Sequence, residues 1–361
     1  MKRTLLMASL VAVGVALVTG ATLCLTSGCS TVAYYAQSVG GHLGLVNQAK
    51  PVADWLADPQ TPEALKERLA LTQRMREYAV TELKLPDNAS YRRFADIKRP
   101  AAVWNVVAAP ELSLTLKTWC FAIVGCVGYR GYYDHDEADA MATQLRGEGL
   151  EVNVYGVPAY STLGKLPGNW LADPLLSTFI NFPEGELARL IFHELTHQIA
   201  FAPGDTVFNE SFATAVERIG GQRWLDTRST AAAREEYQRY NSRREDFRAL
   251  TQRWRDAFST LYTGTQSDAD KRSAKAVMMQ GLRDEHATLK AERWGGFTGY
   301  DGWFARANNA SLGVLAAYNE LVPDFDRLFE REGRDFPRFY AEVKRLAALP
   351  LAERRAALSS P

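Results

Sequence analysis

Apolar residues at helical spacing organise the second half of the chain. Residues 186–200 contain no Gly or Pro and are apolar on most sides, which is typical of a buried helix. A Pro-Gly pair at 203–204 ends that helix. A second helix is predicted to begin near Thr206 or Asn209 and to run to about residue 218, where Gly220-Gly221 closes it.

The pattern after this point predicts a long α-hairpin. Residues 222–263 contain no Gly or Pro, and their aromatic and leucine side chains recur mostly at spacings of three and four. A further helix is predicted over about 268–292, which makes an antiparallel pair of helices. Helical patterning returns from about residue 308 to the end of the chain.

The first half mixes the two periodicities. A helix is predicted over 62–85, and β-rich runs bounded by turn residues occupy 103–108, 122–127 and 151–157. A helix over 137–146 separates the last two runs. These strands are too few for a large sheet. The predicted fold class is α+β, predominantly α-helical, with a small mixed β-sheet and the long α-hairpin.

The N-terminus has the order of a secretory signal. Lys2 and Arg3 precede an apolar stretch over 5–25, and the small residues Thr26-Ser27-Gly28 lead to Cys29. This looks like a bacterial lipobox, in which the thiol of Cys29 is lipidated. The alternative is a plain transmembrane anchor, because about 20 apolar residues can span a bilayer. Ser30 after the cysteine suggests an outer-membrane lipoprotein facing the periplasm.

Composition excludes some functions and informs the cysteines. With 42 basic and 42 acidic residues, the chain has no net field that would favour nucleic acid. Cys120 and Cys126 remain once the first two cysteines are assigned to the signal peptide and the lipid. An oxidising periplasm permits a disulfide between them. A metal-binding cysteine pair is the alternative, although no second pair exists to complete four sulfur ligands.

The sequence His193-Glu194-Leu195-Thr196-His197 lies on the predicted buried helix. Residues four apart lie on one helix face, so both imidazoles can bind one ion, and Glu194 can take a proton from a water beside it. The chain has only 5 His, which makes a chance match rare. The alternative is a helix with two structural histidines, but buried imidazoles and a carboxylate need partners to offset their desolvation.

A third protein ligand is expected for a catalytic zinc ion. Glu210 is the first candidate, since it follows the Pro-Gly break at the start of the next helix, where the dipole favours a carboxylate. An ordinary first-turn glutamate is the alternative. Glu217 competes for the ligand role or serves as a partner of a ligand histidine, and Asp205 is another such partner.

The pairing of the HELTH motif with Asn209-Glu210-Ser211-Phe212-Ala213 resembles the glutamate-type zincins, although their spacer is usually longer than the 12 residues found here. The chain resembles more closely a family of bacterial lipoproteins whose aminopeptidase label is itself a family prediction. This resemblance covers nearly the whole chain, and it implies the same zinc site. The shared stretches outside these two motifs are Trp119-Cys120-Phe121, Gly125-Cys126-Val127, Tyr129-Arg130-Gly131-Tyr132, Ala159-Tyr160-Ser161-Thr162-Leu163-Gly164 and Asp173-Pro174-Leu175.

Two further roles have weaker candidates. Tyr160 is the first candidate for stabilising the oxyanion, ahead of Tyr132 and His286, and a packed core tyrosine is the alternative for each tyrosine. An aminopeptidase also needs a carboxylate for the substrate amine. The Gly-Ala-Met-Glu-Asn motif of large aminopeptidases is absent, so these residues do not establish exopeptidase preference. The possible carboxylates are Asp134, Asp136, Glu137 and Asp173.

The domain prediction follows from these features. Residues 1–28 form the signal peptide, 29–60 form a lipid-anchored tether that gains structure near Pro51, and 61–361 form a metallopeptidase domain. Within that domain, 61–221 is the mixed part with a zincin-like site and 222–361 is the helical part. The expected activity is zinc-dependent aminopeptidase. The alternatives are an endopeptidase or cell-wall peptide amidase with the same site, and a non-catalytic lipoprotein with structural zinc.

Overall fold

The computed structural model describes residues 29–121, 125–162 and 169–360. The predicted signal peptide, and part of the β-rich run at 122–127, lie outside the described residues. In the described ranges, no helix combines the length and the apolar character that crossing a bilayer requires.

Helices dominate the described residues, and with the short strands they confirm the α+β, predominantly helical class. The helices are α1 (Cys29–Gln48), α2 (Val52–Ala57), α3 (Glu63–Thr81), α4 (His135–Gly147), α5 (Glu184–Thr196), α6 (Thr206–Arg228), α7 (Ala231–Thr263), α8 (Asp268–Glu292), α9 (Asp301–Ala305), α10 (Asn309–Asn319), α11 (Val322–Arg331), α12 (Phe336–Ala347) and α13 (Leu351–Ser359).

The strands form small sheets rather than one. They are β1 (Lys50–Pro51), β2 (Arg93–Ala95), β3 (Val103–Pro110), β4 (Trp119–Phe121), β5 (Gly125–Val127), β6 (Arg130–Tyr132), β7 (Leu150–Val157) and β8 (Leu175–Leu176). Antiparallel β6-β3-β7 is the sheet with the longest strands; β1-β2-β8 is mixed, and β4-β5 is a hairpin.

The β6-β3-β7 sheet lies between two helices. On one face, Val106 and Ala108 pack with Ala142 of α4. On the other face, Val107 and Ala109 pack with Ala310 of α10. Alternating strand residues therefore serve both layers. This arrangement fixes α10 in place beside the strands.

The largest apolar cluster surrounds α5 and α6. Leu187, Ile191, Phe192 and Leu195 of α5 are fully buried in it. Side chains of α3, α6, α11 and α12 close the cluster. Because α5 is buried along most of its length, this apolar cluster fixes the position of the HELTH motif.

The predicted α-hairpin is present as α7 and α8. It has a separate apolar cluster that includes Phe258, Leu282 and Phe304. Arg244 of α7 donates to both carboxylate oxygens of Glu186 on α5, at 2.7 and 2.8 Å. This bidentate pair ties the hairpin to the helix that carries the motif.

The helix after the motif is longer than the sequence predicted. Gly220 and Gly221 were expected to close it, but α6 continues through them to Arg228. A Cβ atom at Gly220 would lie 2.6 Å from Cδ1 of Leu83, and one at Gly221 would lie 2.6 Å from Cγ of Arg189. The two glycines therefore permit close packing against α6, rather than ending it.

The predicted tether is helical in the structure. Residues 29–48 form α1, and Leu45, Val46 and Val52 are buried. Gln37 donates to the carbonyl of Gly131 at 3.1 Å, which joins α1 to strand β6. Structure therefore begins well before Pro51, because the apolar residues near the end of α1 pack into the main core.

A disulfide joins Cys120 to Cys126 across the β4-β5 hairpin. Gly125 of this hairpin has a positive φ of 74° and packs against the chain at Gly204. A Cβ atom at Gly125 would lie 2.4 Å from the backbone nitrogen of Gly204. The hairpin thus supports the turn that connects α5 to α6.

Candidate metal centre

The end of α5 brings two imidazoles together. His193 lies in its last turn, and His197 is the C-cap residue with φ −58° and ψ −18°, which keeps helical geometry. The two side chains therefore project from one face, with ring centroids 4.8 Å apart. The helix sets the spacing that a shared ion needs.

The connection to α6 is fixed by Asn209. Its Oδ1 accepts from the backbone nitrogen of Ala202 at 2.8 Å, and its Nδ2 donates to the carbonyl of Ala202 at 2.9 Å. Asn209 is 3% exposed, so this clamp is shielded from water. Because α6 begins at Thr206, Glu210 is its fifth residue and not a first-turn residue. Glu210 therefore lies beside the two histidines even though the spacer between the motifs is short.

The three predicted ligands converge. Oε2 of Glu210 lies 3.2 Å from Nε2 of His193 and 3.7 Å from Nε2 of His197. One donor atom from each residue lies within 4.8 Å of the other two. Two imidazole nitrogens and a carboxylate oxygen form a donor set that zinc accepts in catalytic sites. The residues present thus fit a divalent metal ion.

Glu217 supports this cluster from the other side of His193. Its Oε2 lies 2.9 Å from Nδ1 of His193, while its Oε1 accepts from Arg189. Arg189 is 3% exposed and also donates to the hydroxyl of Tyr237 at 3.1 Å. A carboxylate behind a ligand histidine fixes the ring orientation and increases its basicity. Of its two predicted roles, the structure places Glu217 in that of a partner.

Electrostatics agree with a site that attracts positive charge. Burial acts to lower the pKa of His193, but hydrogen bonds to Glu210 and Glu217 outweigh it and raise that pKa well above its ordinary value. For His197, burial lowers the pKa to about 4, which keeps the ring neutral. Burial would raise the pKa of Glu210, yet the two histidines hold it below its usual value. His197 is therefore already in the neutral form that binds metal, whereas a metal ion would displace a proton from His193.

Glu194 follows the first histidine and faces a cavity of about 1040 Å³. Burial, together with the negative charge of Glu210, raises the pKa of its carboxyl to about 8. His193, Glu217 and Thr214 line the same cavity, together with residues of α7 and α10. The base predicted from the motif is therefore next to a space large enough for a substrate.

Tyr318 is a site residue that the sequence analysis missed. It lies at the end of α10, lines the cavity and stacks on His193 with ring centroids 6.4 Å apart. The negative charge of Glu210, followed by burial, raises the pKa of its hydroxyl well above the ordinary value. The hydroxyl therefore stays protonated. No local pattern marks Tyr318, because more than 100 residues separate it from the motif.

The predicted oxyanion candidates lie elsewhere. The hydroxyl of Tyr160 is 2.7 Å from Nδ1 of His42, and its ring packs edge-on against Tyr133. Tyr132 packs in the cluster beneath β3, and His286 stacks on Phe304 in the α-hairpin cluster. None of the three predicted candidates lines the cavity. A catalytic role for Tyr160 remains a prediction without support from this placement.

Asp205, the other predicted partner of a ligand histidine, has a different function. It caps α6 by accepting from the backbone nitrogen of Phe208 at 3.0 Å. Its carboxylate also pairs with Arg354 at 2.7 Å and with Arg355 at 2.6 Å. Asp205 therefore joins α6 to the C-terminal helix, and both of its carboxylate oxygens are engaged in these contacts.

The carboxylates proposed for the substrate amine do not line the cavity either. Asp134 caps α4 by accepting from the backbone nitrogens of Asp136 and Glu137, which are exposed. Asp173 is 2% exposed and accepts from the backbone nitrogen of Thr162 at 3.1 Å. Burial raises the pKa of its carboxyl to about 6. Asp134 and Asp173 therefore have local structural roles, while the side chains of Asp136 and Glu137 are exposed on the first turn of α4.

Comparison with known proteins gives one family. Searches of curated proteins and of solved structures found no match to this chain. The zincin-like character of the core therefore remains a prediction. The family Aminopep, described as "Putative aminopeptidase", matches residues 33–358, which include most of α1, every element from β1 to α12 and the whole candidate metal centre. The chain belongs to this aminopeptidase family.

Proposed function

We propose that this protein is a zinc-dependent aminopeptidase whose ion is held by His193, His197 and Glu210. The observation that carries the proposal is the convergence of these three donors beside Glu194, within 4.8 Å of one another. Two imidazoles and a carboxylate would rarely converge by chance, and His193 and Glu194 also line the large cavity. Membership of the aminopeptidase family supports a peptide substrate.

Zinc in such a site would supply a Lewis acid that polarises the scissile carbonyl and acidifies water. Glu194 takes the proton of the attacking water and delivers it to the leaving amine. The hydroxyl of Tyr318 donates a hydrogen bond to the carbonyl oxygen as negative charge develops there. Glu217, held by Arg189, keeps the ring of His193 in its orientation.

The replacement Glu194→Gln tests the mechanism. It removes the base and retains the shape of the side chain, so hydrolysis of aminoacyl reporter substrates should fall at least about a hundredfold. Zinc content, measured on the purified protein, should remain at one ion per chain because no ligand is changed. Retained hydrolysis in the variant would contradict the role of Glu194.

Blocked peptides test the exopeptidase assignment. An aminopeptidase should hydrolyse a peptide with a free amino group and leave its N-acetylated form intact. Equal hydrolysis of both forms would identify an endopeptidase or a cell-wall peptide amidase with the same metal centre.

We also propose that lipid on Cys29 anchors the protein to the bacterial outer membrane, facing the periplasm. The order of basic, apolar and small residues before Cys29 supports this proposal. Replacing Cys29 by Ser should abolish incorporation of labelled fatty acid and move the protein from the membrane fraction. Labelling that persists in the variant would exclude Cys29 as the modified residue.

A further inference from the structure

The cavity beside Glu194 is rich in arginine. Arg189, Arg244, Arg248 and Arg255 all line it. Two of them are satisfied by strong pairs: Arg189 binds Glu217, and Arg244 binds both oxygens of Glu186. Their charges are therefore balanced within the protein.

A third arginine is partly balanced. Nη1 of Arg255 donates to Oε1 of Gln252 at 3.1 Å. The negative charges of Asp256 and Glu320 act on its guanidinium. Arg255 therefore has both a hydrogen-bond acceptor and neighbouring carboxylates.

Arg248 differs from the other three. Within the described ranges, its guanidinium has no hydrogen bond and no carboxylate at ion-pair distance. The carboxylate whose charge acts on it is Glu217, which is already bonded by Arg189 and His193. Arg248 therefore presents an unmatched positive charge to the cavity.

The surroundings of Arg248 make this charge costly. Burial, together with the positive charges of Arg189 and Arg244, lowers the pKa of its guanidinium to about 10. The group is still protonated at neutral pH. A half-buried cation with like charges beside it destabilises the folded state unless an anion is bound.

We propose that Arg248 binds a carboxylate of the substrate, so that the enzyme acts on short peptides carrying a free carboxylate a few residues from the cleaved bond. Arg248 would then be a specificity-determining residue. A guanidinium can donate two parallel hydrogen bonds to a carboxylate, and this geometry is selective. A cavity of about 1040 Å³ holds a ligand of a few residues. This inference rests on the proposed peptidase function.

The carboxylate has two possible sources, the C-terminus of the peptide and an acidic side chain. Four probes distinguish them: trialanine, trialanine amide, Ala-Asp-Ala amide and Ala-Asn-Ala amide. Calorimetry on the Glu194→Gln protein measures binding without turnover. Trialanine should bind at least tenfold more tightly than its amide if Arg248 binds the terminal carboxylate. A preference for Ala-Asp-Ala amide over Ala-Asn-Ala amide would assign the acidic side chain instead.

Variants at position 248 connect the preference to this residue. In the Glu194→Gln background, Arg248→Met should bring carboxylate and amide peptides to equal affinity, while Arg248→Lys should keep part of the difference. Arg253→Gln is the matched control, because Arg253 is on the same helix but pairs with Glu285 at the exposed surface. This control should bind trialanine as the parent does.

Thermal unfolding separates a binding role from a structural one. Arg248→Met should unfold at the same temperature as the parent or higher, because it removes an unmatched charge. A loss of stability would show that Arg248 supports the fold. A carboxylate preference that persists in Arg248→Met, or that is missing in the parent, would overturn the inference. Failure of the wild-type protein to hydrolyse any peptide would instead contradict the proposed function, and the binding measurements would still test Arg248.

Discussion

At the scale of single residues, the candidate metal centre depends on groups beyond its three proposed ligands. Glu217 contacts Nδ1 of His193 at 2.9 Å and is itself held by Arg189. The buried arginine and the partly buried glutamate neutralise each other, so the carboxylate can remain ionised behind the histidine. Burial would raise the pKa of Glu217, but Arg189 and His193 hold it well below the usual range.

Replacing Glu217 by Gln should therefore weaken zinc binding without removing a ligand. Loss of such a partner typically costs about 10-fold to 100-fold in metal affinity. Competition with a fluorescent chelator measures the change. Glu342→Gln is the control, because Glu342 pairs with Arg345 on the surface of α12, and zinc affinity should not change there. An unaltered affinity in Glu217→Gln would show that His193 needs no support from this carboxylate.

The residue scale also shows what sequence can reveal. His193 and His197 were predictable because helix geometry alone puts residues four apart on one face. Glu210 was predictable from a nearby helix start. Tyr318 and Arg248 were not, since they reach the cavity from α10 and α7, and their positions depend on how distant helices pack.

At the scale of helices, the contact between α5 and α6 determines the geometry of the site. Arg189 of α5 crosses α6 at Gly221, where the absence of a side chain leaves room for its aliphatic carbons. This path brings the guanidinium to Glu217, one turn earlier on α6. The glycine is therefore coupled to the orientation of His193 through two intervening side chains.

We expect Gly221→Ala to disturb both stability and metal binding. Its Cβ would lie 2.6 Å from Cγ of Arg189, so the arginine must move, and overpacking of this kind costs about 1–3 kcal/mol. Denaturant unfolding and zinc titration measure the two effects. Gly147→Ala in α4 has nothing within 4 Å of the new Cβ and should be neutral or stabilising. Wild-type zinc affinity in Gly221→Ala would break the link from Gly221 to His193.

Sequence patterns predicted most elements, and the misplaced ends have physical causes. The strand at 151–157 and the α-hairpin were recognisable, because each has a periodicity that its own burial produces. Gly220-Gly221 was interpreted as a helix end since Gly commonly stops helices. Only the side chains packed against the two glycines show that they serve close packing instead.

At the scale of the whole molecule, the candidate metal centre lies where the main core meets the α-hairpin. The ligands belong to α5 and α6, which the main apolar cluster holds. The far wall of the cavity belongs to α7, whose apolar residues form the hairpin cluster. Arg244 and Glu186 connect the two across the cavity. The apolar contacts of the core therefore do not depend on a bound ion.

This arrangement predicts the effect of removing metal. Chelation should abolish hydrolysis but leave the helical circular dichroism signal at 25 °C unchanged, because α5 and α6 keep their apolar contacts. A free zinc concentration one hundred times the dissociation constant would add about 2.7 kcal/mol of stability. Chelation should therefore lower the unfolding temperature by several degrees. A Glu210→Ala control, which lacks one ligand, should show a much smaller shift. Loss of the helical signal on chelation would instead identify a structural zinc, since binding energy would then be folding energy.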